Sequence, residues 1–75
     1  MSSAPSPADK LVGMANQIAQ FFKSQPHDEA VAGIVDHLRS FWTPKMRRQI
    51  VDHLASGGLN LDPLTREAVA RLTDI

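Results

Sequence analysis

The stretch Asp36-His37-Leu38-Arg39-Ser40-Phe41-Trp42-Thr43-Pro44-Lys45-Met46-Arg47 decides how this chain is read. A helical pattern ends at Phe41 and another begins at once. The Thr43 hydroxyl can cap the second helix, and Pro44 suits its first position because a backbone N–H there would have no intrahelical partner. Phe41 and the only tryptophan, Trp42, therefore fall at a corner between two helices, among Arg39, Lys45, Arg47 and Arg48.

Upstream of the corner, Ala30, Val31, Ile34, Leu38 and Phe41 recur at helical spacing, and Asp28 and Glu29 complement the positive N-terminal end of that helix. The Gln25-Pro26 pair separates it from an earlier helix expected over about Pro7 to Ser24. Ser6, Pro7 and Asp9 resemble a capping box for this first helix, whose stripe is Leu11, Met14, Ala15, Ile18 and Phe22, with Phe21 at the margin. Asp9, Asn16, Gln20 and Lys23 are expected to face away from the core.

Downstream, Met46, Ile50 and Leu54 form a third stripe that Gly57-Gly58 terminates, one glycine supplying a left-handed cap. Asp62-Pro63 repeats the cap-and-proline device, and Leu64, Ala68 and Leu72 carry a fourth stripe, with Leu61 just before the cap. No segment alternates with a period of two. The pattern predicts an all-α fold: a small four-helix bundle or two packed helical hairpins. Residues 1–5 read as a disordered tail and residues 6–75 as a single helical domain. The run Ile34-Val35-Asp36-His37-Leu38 recurs as Ile50-Val51-Asp52-His53-Leu54. Its flanks do not match, so a shared packing solution is the simpler account.

Seventy-five residues bury only about 60% of the unfolded surface, so stability should be marginal. The chain has no cysteine, hence no disulfide or thiolate metal site, and small domains without such staples often lean on a second subunit. Self-association in isolation is a physical expectation for the same reason. Eight Lys plus Arg balance eight Asp plus Glu, and no global field draws the chain to nucleic acid or an anionic membrane. With neither a signal peptide nor an apolar run of about 20 residues, it reads as soluble and cytoplasmic.

Catalytic patterns are missing from the residues. No serine sits in a glycine-rich elbow, and Gly57-Gly58 lacks the rest of a phosphate-binding loop. His37 and His53, each preceded by Asp, could meet across a hairpin of the second and third helices, but a zinc or iron site needs three or four ligands. The assignment is therefore no catalytic residue, no cofactor-binding residue and no metal ligand. The corner carries more information. Lys45, Arg47 and Arg48 oppose the dipole of their own helix, so an acidic or carbonyl-rich surface is expected opposite them. Trp, Phe, Met and Arg are enriched where proteins dock. Arg39, Phe41, Trp42, Met46 and Arg47 are the expected partner-binding residues, with Asn16 and Gln17 as further candidates. On that reading Trp42→Ala weakens a complex while the isolated chain stays helical. As a nucleic-acid reader, Lys45-Met46-Arg47-Arg48-Gln49 is only a partial match.

Three blocks carry a family resemblance: Lys10 to Ala19 with Phe21-Phe22; Glu29 to Ile34 continuing through Asp36 to Arg47; and Gly57-Gly58 with Leu61 to Ala68. Together they resemble the small delta subunit of cytoplasmic, molybdenum-containing, NAD-dependent formate dehydrogenases. Gly13 departs from a position that is often basic in the family, and Thr43 and Lys45 from Asp and Arg. The resemblance implies a non-catalytic accessory subunit with no cofactor of its own. Its partner would be the catalytic alpha subunit of a complex carrying bis-MGD molybdenum, iron–sulfur clusters, flavin (FMN) and the NAD site. Its role there would be assembly, cofactor loading or stability of the alpha subunit.

Overall fold

The computed structural model describes residues 7–72, which form four helices: α1 (Pro7–Phe22), α2 (His27–Phe41), α3 (Pro44–Ala55) and α4 (Pro63–Leu72). Among the described residues there is no strand. The expected tail and the Ser6 cap lie outside them.

Local chemistry sets the boundaries. α1 ends at Phe22, two residues earlier than the Gln25-Pro26 break alone implies, because Lys23 and Ser24 already form a turn closed by Gln25 N donating to the Phe22 carbonyl at 3.0 Å. Thr43 caps α3 as expected, its hydroxyl accepting from Met46 N at 3.1 Å. At the far end of α3, Gly58 N donates to the His53 carbonyl at 2.9 Å and Gly57 N to that of Leu54 at 3.0 Å. These are the paired bonds of a Schellman ending, and both glycines hold positive φ, 122° and 64°.

The helices form two hairpins, α1 with α2 and α3 with α4, laid across each other. α4 packs most extensively on α2, and α1 also packs on α3. α2 and α3, though consecutive, sit diagonally and scarcely touch. The extended backbone at Trp42 (φ −90°, ψ 144°) and Thr43 (φ −70°, ψ 159°) is what carries the chain across that diagonal.

One cluster fills the centre: Leu11, Val12, Ala15 and Ala19 from α1, Val31, Ile34, Val35 and Leu38 from α2, Ile50 from α3, and Ala68, Val69 and Leu72 from α4, joined by Trp42 and Leu61. The α1 face differs from the expected stripe. Val12 and Ala19 are buried, while Met14, Ile18 and Phe22 are half-buried at its edge. Since α1 touches all three other helices, its buried face must be wide, and Ala15 and Ala19 let the neighbours approach. α1 and α2 also meet closely at Gly33, where an added Cβ would lie 2.5 Å from the Phe22 ring.

Gly13 stands in the middle of α1, exposed, with open space around a built Cβ. Glycine there costs helix stability through backbone entropy alone. Gly13→Ala is expected to raise the stability of the isolated chain by about 0.5–1 kcal/mol. A urea titration followed by circular dichroism measures it, and a midpoint that falls would show that the position is not a free helix surface.

Candidate functional site

The corner splits its two aromatics. α2 ends after Phe41, and the extended conformation of the next residue turns the Trp42 indole into the core, 5% exposed. Phe41 points outward, 73% exposed. Its ring lies tilted against that of the neighbouring His37, with centroids 4.7 Å apart. Trp42 is thus a packing residue here, which removes the premise that its truncation would leave the isolated chain intact. Met46 is half-buried against the same core.

Arg47 is also turned inward. Its Nη1 donates to the carbonyls of Leu38 and Arg39, both at 3.3 Å, and to that of Trp42. The carbonyls of Arg39 and Trp42 lie where α2 ends and no further helical turn follows, while that of Leu38 also accepts from Trp42 N at 3.1 Å. A cation in α3 thereby serves the negative end of α2's dipole, which explains why it stands against the dipole of its own helix. The carbonyl-rich surface expected opposite the basic cluster is, for Arg47, this chain's own backbone. Arg39, on the exposed side of α2, reaches the Arg71 carbonyl at 3.5 Å, a long bond at an exposed site. Lys45 and Arg48 are exposed and touch no carboxylate, carbonyl or ring among the described residues.

Asn16 does not face away from the fold. Its Oδ1 accepts from Asp62 N at 3.0 Å and from Thr65 Oγ at 3.0 Å, while its Nδ2 donates to the Asn60 carbonyl at 2.8 Å. The side chain joins α1 to the loop and first turn of α4, where Thr65 is fully buried. Two further side chains hold the same loop. Arg66 donates to the carbonyls of Gly57 (2.8 Å) and Gly58 (3.1 Å), and His53 Nε2 to that of Leu59 (2.8 Å). No pattern in the sequence marks this network, because its partners lie 44 to 49 residues from Asn16. Gln17, by contrast, is exposed on the outer side of α1.

His37 and His53 have separate roles. His37 stacks on Phe41, and His53 is bonded to the Leu59 carbonyl, on helices that lie diagonally. His27 Nε2 lies 2.5 Å from Glu67 Oε2 at the surface. Among the described residues no three His, Cys, Asp or Glu side chains gather as metal ligands would. An open groove of about 330 Å³ between the end of α1 and the start of α4 is lined by Ala19, Gln20, Lys23, Asp62, Pro63 and Leu64. It brings together a single ammonium and a single carboxylate. No described helix is long and apolar enough to cross a membrane.

The outward-facing features are therefore the corner, with Phe41 and its unpaired cations, and two further exposed apolar side chains, Phe21 at the end of α1 and Leu59 in the α3–α4 loop. Both are surface that the fold leaves uncovered, and neither was expected as a contact residue.

No curated protein and no solved structure matches the chain. A family model described as the NADH-dependent formate dehydrogenase delta subunit, FdsD, matches residues 10–69. That span takes in α2 and α3 whole, most of α1 and α4, the corner and the cross-linked loop. The chain belongs to the family of NADH-dependent formate dehydrogenase delta subunits.

Proposed function

We propose that this chain is a non-catalytic accessory subunit that binds the catalytic alpha subunit of a cytoplasmic formate dehydrogenase and supports its assembly, cofactor loading or stability. The observation that carries the reading is the family match over residues 10–69. The chemistry of the described side chains agrees with it. His53 and Asn16 are committed to internal bonds, His37 packs against Phe41, His27 faces Glu67 at the surface, and an aromatic ring and cations suited to a protein surface face outward. Formate oxidation, the bis-MGD molybdenum, the iron–sulfur clusters, the flavin and the NAD site belong on this reading to the other subunits.

The test is to tag the chain in its native cell, purify it, identify what accompanies it, and assay formate-dependent NAD reduction with and without the chain. A large molybdenum-containing subunit is expected to co-purify, and deletion of the chain is expected to lower the specific activity or the cofactor content of that subunit. Recovery of the chain as a homo-oligomer with no large subunit would reject the proposal.

A further inference from the structure

Lys45 and Arg48 stand where the fold gives them no use. Both lie in the N-terminal half of α3, whose first turn has no acidic residue, whereas α1 opens with Asp9 and α2 with Asp28 and Glu29. A positive charge in the first turn, as at Lys45, works against the macrodipole, and Arg48 lies one turn further in. Arg47, between them, is accounted for by the carbonyls that end α2. Nothing among the described residues accounts for the other two, and Asp52, one turn beyond Arg48, forms no ion pair with it.

Phe41, at the end of α2, precedes them in the chain by four and seven residues across the corner. It lies three residues past Leu38 and seven past Ile34, both fully buried, so it continues the apolar stripe of α2 beyond the body of the bundle. An exposed phenyl at a helix end, followed across the corner by two exposed cations without a partner among the described residues, has the composition of an interface centre with a charged rim. Arg39, held loosely to Arg71, lies two residues before Phe41 on α2.

We propose that Phe41 is the anchor of the docking surface and Lys45 and Arg48 its rim, and that the occupant is an apolar pocket bordered by carboxylates on the partner subunit. This rests on the accessory-subunit reading above. It takes Trp42 and Arg47 out of the surface, because both serve the interior. It also requires two properties to move in opposite directions. An acidic residue in place of Lys45 suits the helix end and stabilises the isolated chain, while it opposes the carboxylates of the partner.

The experiment uses the full-length tagged chain and its variants, produced together with the other subunits, with retention of the large subunit read at low and high salt. Thermal melts of each isolated chain accompany it. Wild-type retention should fall as salt rises. Phe41→Ala should weaken binding about 30-fold with little change in the melt. Lys45→Glu with Arg48→Glu should weaken it about 10-fold at low salt, and Lys45→Glu alone should raise the melting temperature by about 2–6 °C. The neutral pair Lys45→Gln and Arg48→Gln, free of charge reversal, should weaken binding by a smaller factor and flatten its salt dependence.

Retention of the large subunit by the charge-reversed chain at the wild-type level would overturn the charged rim, while wild-type capture would still uphold the accessory role. Unchanged binding by Phe41→Ala would overturn the anchor. Capture of no subunit by the wild-type chain would instead sink the accessory role itself. Salt-sensitive binding of duplex DNA that vanishes in the charge-reversed chain would overturn the protein partner in favour of nucleic acid.

Discussion

Trp42→Ala is expected to unfold much of the isolated chain. A domain of 75 residues has about 4–11 kcal/mol of stability at roughly 0.05–0.15 kcal/mol per residue, and small domains fall toward the lower end. Removing a buried indole costs about 3–5 kcal/mol, since the neighbours collapse only partly into the space. Trp42 sits within the central cluster, its backbone N–H donating to the Leu38 carbonyl at 3.1 Å and its backbone carbonyl accepting from Arg47. Those backbone bonds survive the substitution, so what is lost is the burial of the ring. Trp42→Phe keeps much of the apolar volume and should cost distinctly less. Circular dichroism melts and urea titrations of the three chains decide the matter. If Trp42→Ala melts within a degree or two of the wild type, the indole is not core.

The second large effect is expected from Asn16→Ala, at about 2–4 kcal/mol. The substitution removes an amide that satisfies Thr65 Oγ, Asp62 N and the Asn60 carbonyl together. Thr65 is fully buried, so its hydroxyl loses its partner without gaining water. Thr65→Val deletes that hydroxyl and should recover part of the loss in the Asn16→Ala background. A double-mutant cycle should therefore show coupling of about 1–2 kcal/mol between the two positions. Additive costs would show that the two side chains do not act as a unit. The result also bears on docking. Any weaker partner binding by Asn16→Ala reports on a loosened α1–α4 junction before it reports on a lost contact.

These two residues show where the sequence could and could not be read. The helix starts were legible because Pro26, Pro44 and Pro63 and the Thr43 hydroxyl act within one turn of chain, and so was the glycine ending of α3. Phe41 and Trp42 defeated the same logic. Helical phase puts Phe41 on the apolar stripe, and it is phase that ceases to apply one residue later, where extended dihedrals send the indole inward. Phe41 keeps its place on the stripe but has run past the helices that would cover it. The cations divide in a related way. From sequence, Lys45, Arg47 and Arg48 share one electrostatic anomaly, but only Arg47 reaches the end of α2.

What the sequence determined by itself is the set of four amphipathic helices, the starts of α2, α3 and α4, the glycine ending of α3, and the presence of an aromatic and basic corner, all products of interactions spanning a few residues. Its blocks of similarity to the delta subunit family also lie in the primary structure, and the family match over residues 10–69 agrees with them. The tertiary structure alone decided that α2 and α3 are diagonal, that Trp42 and Arg47 face inward, and that Asn16 joins α1 to α4. The Asn16 bonds join residues 44 to 49 apart, and Arg47 reaches carbonyls five to nine residues back only because the extended corner sets α3 against the end of α2, so both are settled by the shape of the whole core and not by the spacing of neighbours.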